Sequence, residues 1–309
     1  MIRIIDIQAR ATIQDLGRFG LRQYGIGHSG AMDSLALKAG NLLLGNAENS
    51  PAVEIPLGAM TVLFERDISF CVTGAFYEMF LDNEPVYSYW RYNAKAGQIL
   101  RFVCARAGMY SYFCVRGGFK IEPELGSCST DIRVQLGGIE GRPLQAGDCL
   151  KTRTDQRLLP QIGIAPIELT QYIHAVPSSE YAHFKRKSQY KLWQNSWRLQ
   201  SNSDRMGYRF QGDALTLIKP LEMLSHAIQF GTVQVPPDGQ PIVLMADAQT
   251  TGGYPKIACV VQSDLGRLAQ VRLGSSIKFT AVTVQEAQKL RQKDQIYLNH
   301  IRRIVNESN

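Results

Sequence analysis

Short apolar runs, broken at close intervals by turn residues, are what most limits the folds open to this chain. MTVLF, ISFCVTG, FYEMFLD, QILRFVCA, SYFCVRGG and RPLQAGDCL each contain an apolar run of strand length, bounded or divided by Gly, Pro, Asp or Asn. Such runs read as strands, and LDNEPV, Leu81 to Val86, reads as a turn between two of them. With 27 glycines and 13 prolines in 309 residues, tight turns are frequent. The chain is expected to be mainly β, with a few peripheral helices. Periodicity alone leaves barrel and sandwich both open.

Two segments display polar groups beyond what a turn requires. From Val235 to Val261 the chain reads VPPDGQPIVLMADAQTTGGYPKIACVV. Pro236 to Gly239 has tight-turn composition, Ile242 to Met245 reads as a short buried strand ending at Asp247, and Ala258 to Val261 resumes a strand. Between them, Gln249, Thr250, Thr251, Gly252 and Gly253 form either a concavity for a carboxylate or phosphate, or a hairpin connection satisfied internally. Near the start, ATIQDLGRFGLRQYGIGHSGAMD sets glycines among Gln14, Asp15, Arg18, Arg22, His28, Ser29 and Asp33. Neither the GxGxxG nor the GxxxxGK[ST] nucleotide pattern fits this spacing. The following SLALKAGNLLLGN turns helical, with Asp33 or Ser34 as its cap and Gly45 at its end.

TIQDLGRFG, GHSGAMD, VTGA, VRGG, GSCSTD, RMGYR and PPDGQPIVLMADAQTTGGYPKIA occur in one order along the chain. Together they resemble the 5-oxoprolinase C-subunit family, also called KipA-like or allophanate hydrolase subunit 2, a relative of the carboxyltransferase region of urea amidolyase. The resemblance spans about Arg3 to Phe279 and is weakest between Leu150 and Trp193. It implies a cyclophilin-like β-barrel architecture. It also implies ATP-dependent opening of 5-oxo-L-proline to L-glutamate, with a KipI-like B-type subunit in tight complex and a LamB/YcsF-like A-type subunit. Two alternatives accompany it: one component of a biotin-dependent carboxyltransferase, and a non-enzymatic KipA-like antagonist of a KipI-type kinase inhibitor. No biotin-acceptor motif of AMKM type occurs, so no biotin is expected on this chain.

Domain boundaries follow the composition. Residues 1–155 are expected as an N-terminal β-rich barrel half, 156–168 as a linker between Pro-containing stretches, 169–285 as the C-terminal cyclophilin-like domain and 286–309 as a basic helical tail. A helix is expected near Ser178 to Gln194, with strands resuming from Arg198. Across His183 to Leu199, Tyr190, Trp193 and Trp197 fall at near-helical spacing and read as the core-facing stripe of an amphipathic helix, the adjoining Lys and Arg as its solvated face. That reading removes the best local case for nucleic-acid binding, and the net charge of +7 suits an anionic substrate or an acidic partner. No apolar run approaches the roughly 20 residues of a membrane helix, and MIRIIDIQARATIQD reads as strand rather than as a secretory signal. Six dispersed cysteines without a CxxC pair are expected as free, mostly buried thiols in a reducing cytoplasm.

Site candidates come from residue type and placement. Glu54 is a carboxylate inside an apolar run, either a buried site group or an edge residue facing water. Arg116 in VRGG can reach a carboxylate bidentately or close a structural ion pair. Ser201, Ser203, Arg205, Tyr208 and Arg209 suit an anion clamp, or form a polar strand edge with one Arg in a salt bridge. Cys128 in GSCSTD would need a nearby base to act as a nucleophile. Arg18, Arg205 and Arg209 are the expected phosphate clamps, with Gln14, Asp15, Ser29, Glu54, Arg116, Tyr208 and Gln249 to Gly253 as further binding groups. His28, Asp33 and Asp247 are the expected proton carriers. The five histidines lack ligand spacing, so no protein metal site is expected. Mg²⁺ arriving with ATP would draw on Asp15, Asp33 or Asp247.

Overall fold

The structure, a computed structural model, describes residues 1–153 and 157–308. The expected boundary between 155 and 156 falls outside the described residues. The chain forms two compact units, Met1–Arg18 with Ser29–Glu168 and Asp294–Asn309, and Phe19–His28 with Leu169–Lys293. As expected, the fold is mainly β and contains a closed barrel.

In the first unit, β1 (Ile2–Ile7), β2 (Thr12–Gln14), β3 (Ala52–Ile55), β4 (Met60–Phe64), β5 (Ile68–Leu81), β6 (Glu84–Val86), β7 (Arg91–Ala94), β8 (Ile99–Val115) and β9 (Cys149–Leu150) make one nine-stranded sheet. Its order is β2-β3-β8-β4-β1-β9, and β5 pairs β6, β7 and β8. Four expected strands have merged into two. ISFCVTG and FYEMFLD are one 14-residue strand, β5, and QILRFVCA and SYFCVRGG are one 17-residue strand, β8. Gly74 and Gly108 have φ of 91° and 81°, and the β5–β8 register shifts just after Gly74. These glycines bend and bulge the strands instead of ending them. Phe64, Phe70, Phe102 and Phe113 pack at ring distances of 5.1 to 6.2 Å in the core. Helix α1 (Ser34–Leu43) begins at Asp33, whose side chain accepts from Ala36 N–H.

In the second unit, β10 (Tyr172–Pro177), β11 (Trp197–Leu199), β12 (Gly207–Gln211), β13 (His226–Ala227), β14 (Thr232–Gln234), β15 (Ile242–Leu244), β16 (Thr251–Gly252), β17 (Lys256–Val260) and β18 (Ser276–Ala281) alternate with α2 (Arg186–Gln194) and α3 (Gln262–Ala269). Seven of them close a barrel in the order β10-β17-β14-β15-β12-β11-β18, sealed by the parallel pairing of β10 with β18. The expected helix at Ser178 to Gln194 is shorter. Phe184 is extended and bridges Leu217, and Lys185 N–H donates to Thr216 C=O, so α2 starts only at Arg186. Its aromatic stripe is also corrected. Tyr190 is 67% exposed, whereas Trp197 is fully buried in β11, with its indole N–H on Leu192 C=O. Ser188 and Leu192 are the buried residues of α2.

The tail helix begins two residues before the expected 286. α4 (Val284–Ser308) is opened by a reciprocal box in which Thr283 Oγ1 accepts Glu286 N–H and Glu286 accepts Thr283 N–H at 2.8 Å. Its Leu298, Ile301 and Val305 are buried. Among the described residues, no helix is long and apolar enough to cross a membrane. All six cysteines are free; Cys71, Cys114 and Cys128 are buried and Cys149 is exposed. Replacing Trp197 by Ala removes the largest fully buried side chain. It should destabilise the barrel by about 3–5 kcal/mol, measured by urea denaturation.

Candidate functional site

In the first unit, the loop after β2 meets the GSCSTD segment around one carboxylate. Asp15 Oδ1 accepts from Gly17 N–H at 2.8 Å and from the Ser127 and Ser129 hydroxyls at 2.6 Å; Oδ2 accepts Cys128 N–H at 2.7 Å. Its own N–H donates to Ser129 Oγ, and its C=O accepts Ala31 N–H. Gly30, at φ 86°, is held against this loop; a Cβ there would meet Gly17 N at 2.8 Å. Asp15 is therefore spent on structure, and its oxygens fit a Mg²⁺ ligand poorly.

Arg18 is 1% exposed. Its Nη2 donates to Ser129 C=O at 2.6 Å and its Nε to Glu124 C=O at 3.2 Å, while Nη1 has no partner. Burial pulls the guanidinium below its ordinary range, opposed by Asp15 first and then Asp131 and Glu124. Gln14 donates to Thr130 C=O and Thr12 Oγ1, leaving its buried Oε1 without a partner, as is Thr130 Oγ1. Three orphaned polar atoms thus belong to side chains of this one cluster. Such atoms are costly unless a water or ligand completes them. Gly137, at φ 71°, passes so close that a Cβ would collide with Ser129 O and Arg18 Nη2. Ser29, at φ 51°, donates to Asp131 Oδ2 at 3.2 Å.

A second cluster lies across β2, β3 and β8, where register aligns Thr12, Glu54 and Tyr112. Glu54 is 1% exposed, which settles it as a buried carboxylate. Its Oε2 accepts Met32 N–H and the Tyr112 hydroxyl, each at 2.8 Å, and Tyr112 Oη accepts Asp33 N–H at 2.6 Å. Burial, then Glu54 and Asp33, push the Tyr112 phenol well above its usual value. Tyr112 went unnoticed in SYFCV because an aromatic in an apolar strand gives no signal. Arg116 reaches Leu44 C=O at 3.4 Å.

In the second unit, Arg205 forks onto Asp247, Nε to Oδ2 at 2.7 Å and Nη2 to Oδ1 at 2.8 Å. Both Asp247 oxygens are thereby engaged. Strand alternation buries Tyr208, whose hydroxyl donates to Ala269 C=O, and leaves Arg209 exposed. Pro236 C=O accepts Gly239 N–H at 2.9 Å in the expected tight turn. The polar loop is partly a connection: Thr251–Gly252 pairs with His226–Ala227, and Arg22 donates to Ile228 C=O and Gln249 C=O. Gln249, Thr251 and Gly253 remain exposed. His28 stacks edge-on with Phe19 at 4.5 Å. His174 and Asp264, 2.7 Å apart, form a pair that no sequence spacing announces. Among the described residues no group of three or more His, Cys, Asp or Glu could hold a metal.

The two units together have counterparts among known proteins. The family described as carboxyltransferase domain, subdomain A and B, matches residues 24–281. The urea amidolyase of Kluyveromyces lactis superposes with a TM-score of 0.90 over 97% of this chain and 20% of that one; at 24% identity this likeness shows the fold. The chain belongs to the carboxyltransferase-domain family. Two proteins named as the C subunit of 5-oxoprolinase, from Haemophilus influenzae and Escherichia coli, are 69% and 47% identical to it, each match covering all of both chains.

Two outcomes follow from this geometry. Tyr112→Phe strands Asp33 N–H and removes one Glu54 donor, and should cost about 1–3 kcal/mol by chemical denaturation. Burial and the Asp15 charge push the Cys128 thiol up to about 11, with Arg153 and Arg18 only partly opposing. Its thiolate fraction therefore rises only as pH approaches 11. Mass-spectrometric alkylation at about pH 8 should label exposed Cys149 and spare Cys128.

Proposed function

We propose that this chain is the C subunit of an ATP-dependent 5-oxoprolinase, working with a KipI-like B-type subunit and a LamB/YcsF-like A-type subunit. The observation that carries the reading is end-to-end identity of 69% and 47% to two proteins named as that component. A five-membered lactam is stable and its carbonyl is a poor electrophile. ATP transfers its γ-phosphoryl group to the amide oxygen and leaves as ADP, which makes the ring carbon electrophilic. Water then adds at that carbon, the C–N bond breaks as the ring nitrogen takes a proton, and the γ-glutamyl phosphate so formed is hydrolysed by a second water to L-glutamate and inorganic phosphate.

The orphaned atoms of the first unit suit the lactam edge, which presents C=O and N–H side by side. Arg18 Nη1 is a donor for the oxygen, and Gln14 Oε1 is an acceptor for the N–H. Within the second unit, the Gln249 to Gly253 loop is a candidate seat for a carboxylate or phosphate, and with Asp247 held by Arg205, His28 is that unit's candidate proton carrier. In the first unit, Asp33 caps α1. A phosphate-clamp role for Arg205 would require release from Asp247, whereas Arg209 is exposed. The family description favours a second reading, carboxyl transfer from a separate biotinylated protein.

Steady-state assays of 5-oxoproline-dependent ATP hydrolysis, with this chain alone and with both companions, test the first reading. Turnover should require all three, and Arg18→Lys should lower kcat at least about tenfold. No turnover in any mixture, despite tight binding to the KipI-like companion, would replace it with the regulatory reading. Carboxyl transfer on adding a biotinylated carrier would replace it with the second.

A further inference from the structure

The first unit also carries a groove of about 660 Å³ whose charge none of these roles uses. A short ribbon forms part of it. Phe119 bridges Thr152, Lys120 N–H donates to Lys151 C=O at 2.8 Å, and Arg153 N–H donates to Gly118 C=O at 3.1 Å. In an antiparallel pair, opposed residues share a face and successive residues alternate. Phe119 is buried, so Lys120, Lys151 and Arg153 fall together on the outer face, and all three are exposed. Gly117, at φ 76°, packs against Arg153 with no side chain in the way.

Arg66 adds a fourth cation to the lining, and Glu122 is its one acidic residue among the described residues. Among the described residues, none of the four cations forms an ion pair. Lys120 and Lys151 are like charges set close together across the ribbon, an arrangement that costs stability unless an anion joins them. Thr152, opposite Phe119 and 9% exposed, turns to the inner face and holds the two flanking cations outward. Ile121 and Pro123 supply apolar surface beside the charges. The volume lies in the range of small-molecule sites, which favours a compact ligand over a protein face.

We propose that this groove binds the phosphate chain of a small molecule, either a nucleoside di- or triphosphate or an inorganic polyphosphate. Lys120 and Lys151 act as point charges on it, while Arg66 and Arg153 offer forked donors. The inference stands on the groove's own charges and goes beyond the 5-oxoprolinase reading.

Calorimetric titration of the full chain with ATP, ADP, AMP and inorganic tripolyphosphate tests it, at low and at moderate salt. ATP and tripolyphosphate should bind more tightly than AMP, and added salt should weaken them. Lys120→Gln with Lys151→Gln, and separately Arg153→Gln, should each raise Kd by about tenfold or more without lowering the thermal unfolding midpoint of the ligand-free chain. Equal affinity for ATP and tripolyphosphate means that phosphates alone are read; a preference for ATP means that the apolar side holds the nucleoside. Absence of binding by every probe, or affinities unchanged in both variants, overturns the proposal. Since the readout is binding by this chain alone, its failure leaves the reconstituted turnover unaffected, and the reverse also holds.

Discussion

The carboxylate of Asp15 is the constraint on which the first unit's candidate site rests. A buried carboxylate costs several kcal/mol unless donors replace its water. Here two hydroxyls and two backbone N–H groups do so, and they come from segments more than a hundred residues apart in sequence. The loop after β2 is thereby fastened to the 127–129 segment. Arg18 can be held at 1% exposure because that same carboxylate lies near it. The orphaned donors and acceptors around Arg18 persist because the structure beneath them is already complete.

Much of the fold was legible because strand and turn chemistry is local. MTVLF coincides with β4, Asp33 caps α1 as its residue type suggests, and Pro236 to Gly239 makes its turn. The two merged strands have a common cause in glycine, whose permissive backbone ends one strand and bends another. Nothing in VTGAF or ARAGM says which of the two occurs, and in both cases the strand continues. The Tyr190, Trp193 and Trp197 spacing looked helical, yet Trp197 belongs to β11, where barrel burial outweighs the helical period.

The site was legible as a set of motifs but not as a set of pairs. Asp15, Arg18, Ser29 and the GSCSTD segment were all in view, and the structure joins them. Which Arg meets which Asp is a long-range fact: a salt bridge for one Arg of the 201–209 segment could be expected, but not that Arg205 takes Asp247, 42 positions away. Glu54 could be singled out as an anomaly in an apolar strand, but its partner Tyr112 could not. The basic groove left no trace at all, since its cations are single residues spread from Arg66 to Arg153.

The first unit is assembled from three stretches of chain, the last of them Asp294–Asn309, which lies largely within α4. Leu298, Ile301 and Val305 bury themselves there, Tyr297 donates to Ala165 C=O at 2.7 Å, and Arg302 reaches Glu48. A ribosome delivers the chain from the N-terminus, so the unit that emerges first is the last to be finished. Its sheet must wait, with the α4 docking face uncovered, while the whole second barrel is made. That interval exposes apolar surface on a nascent chain, and it ends only when translation reaches the final helix.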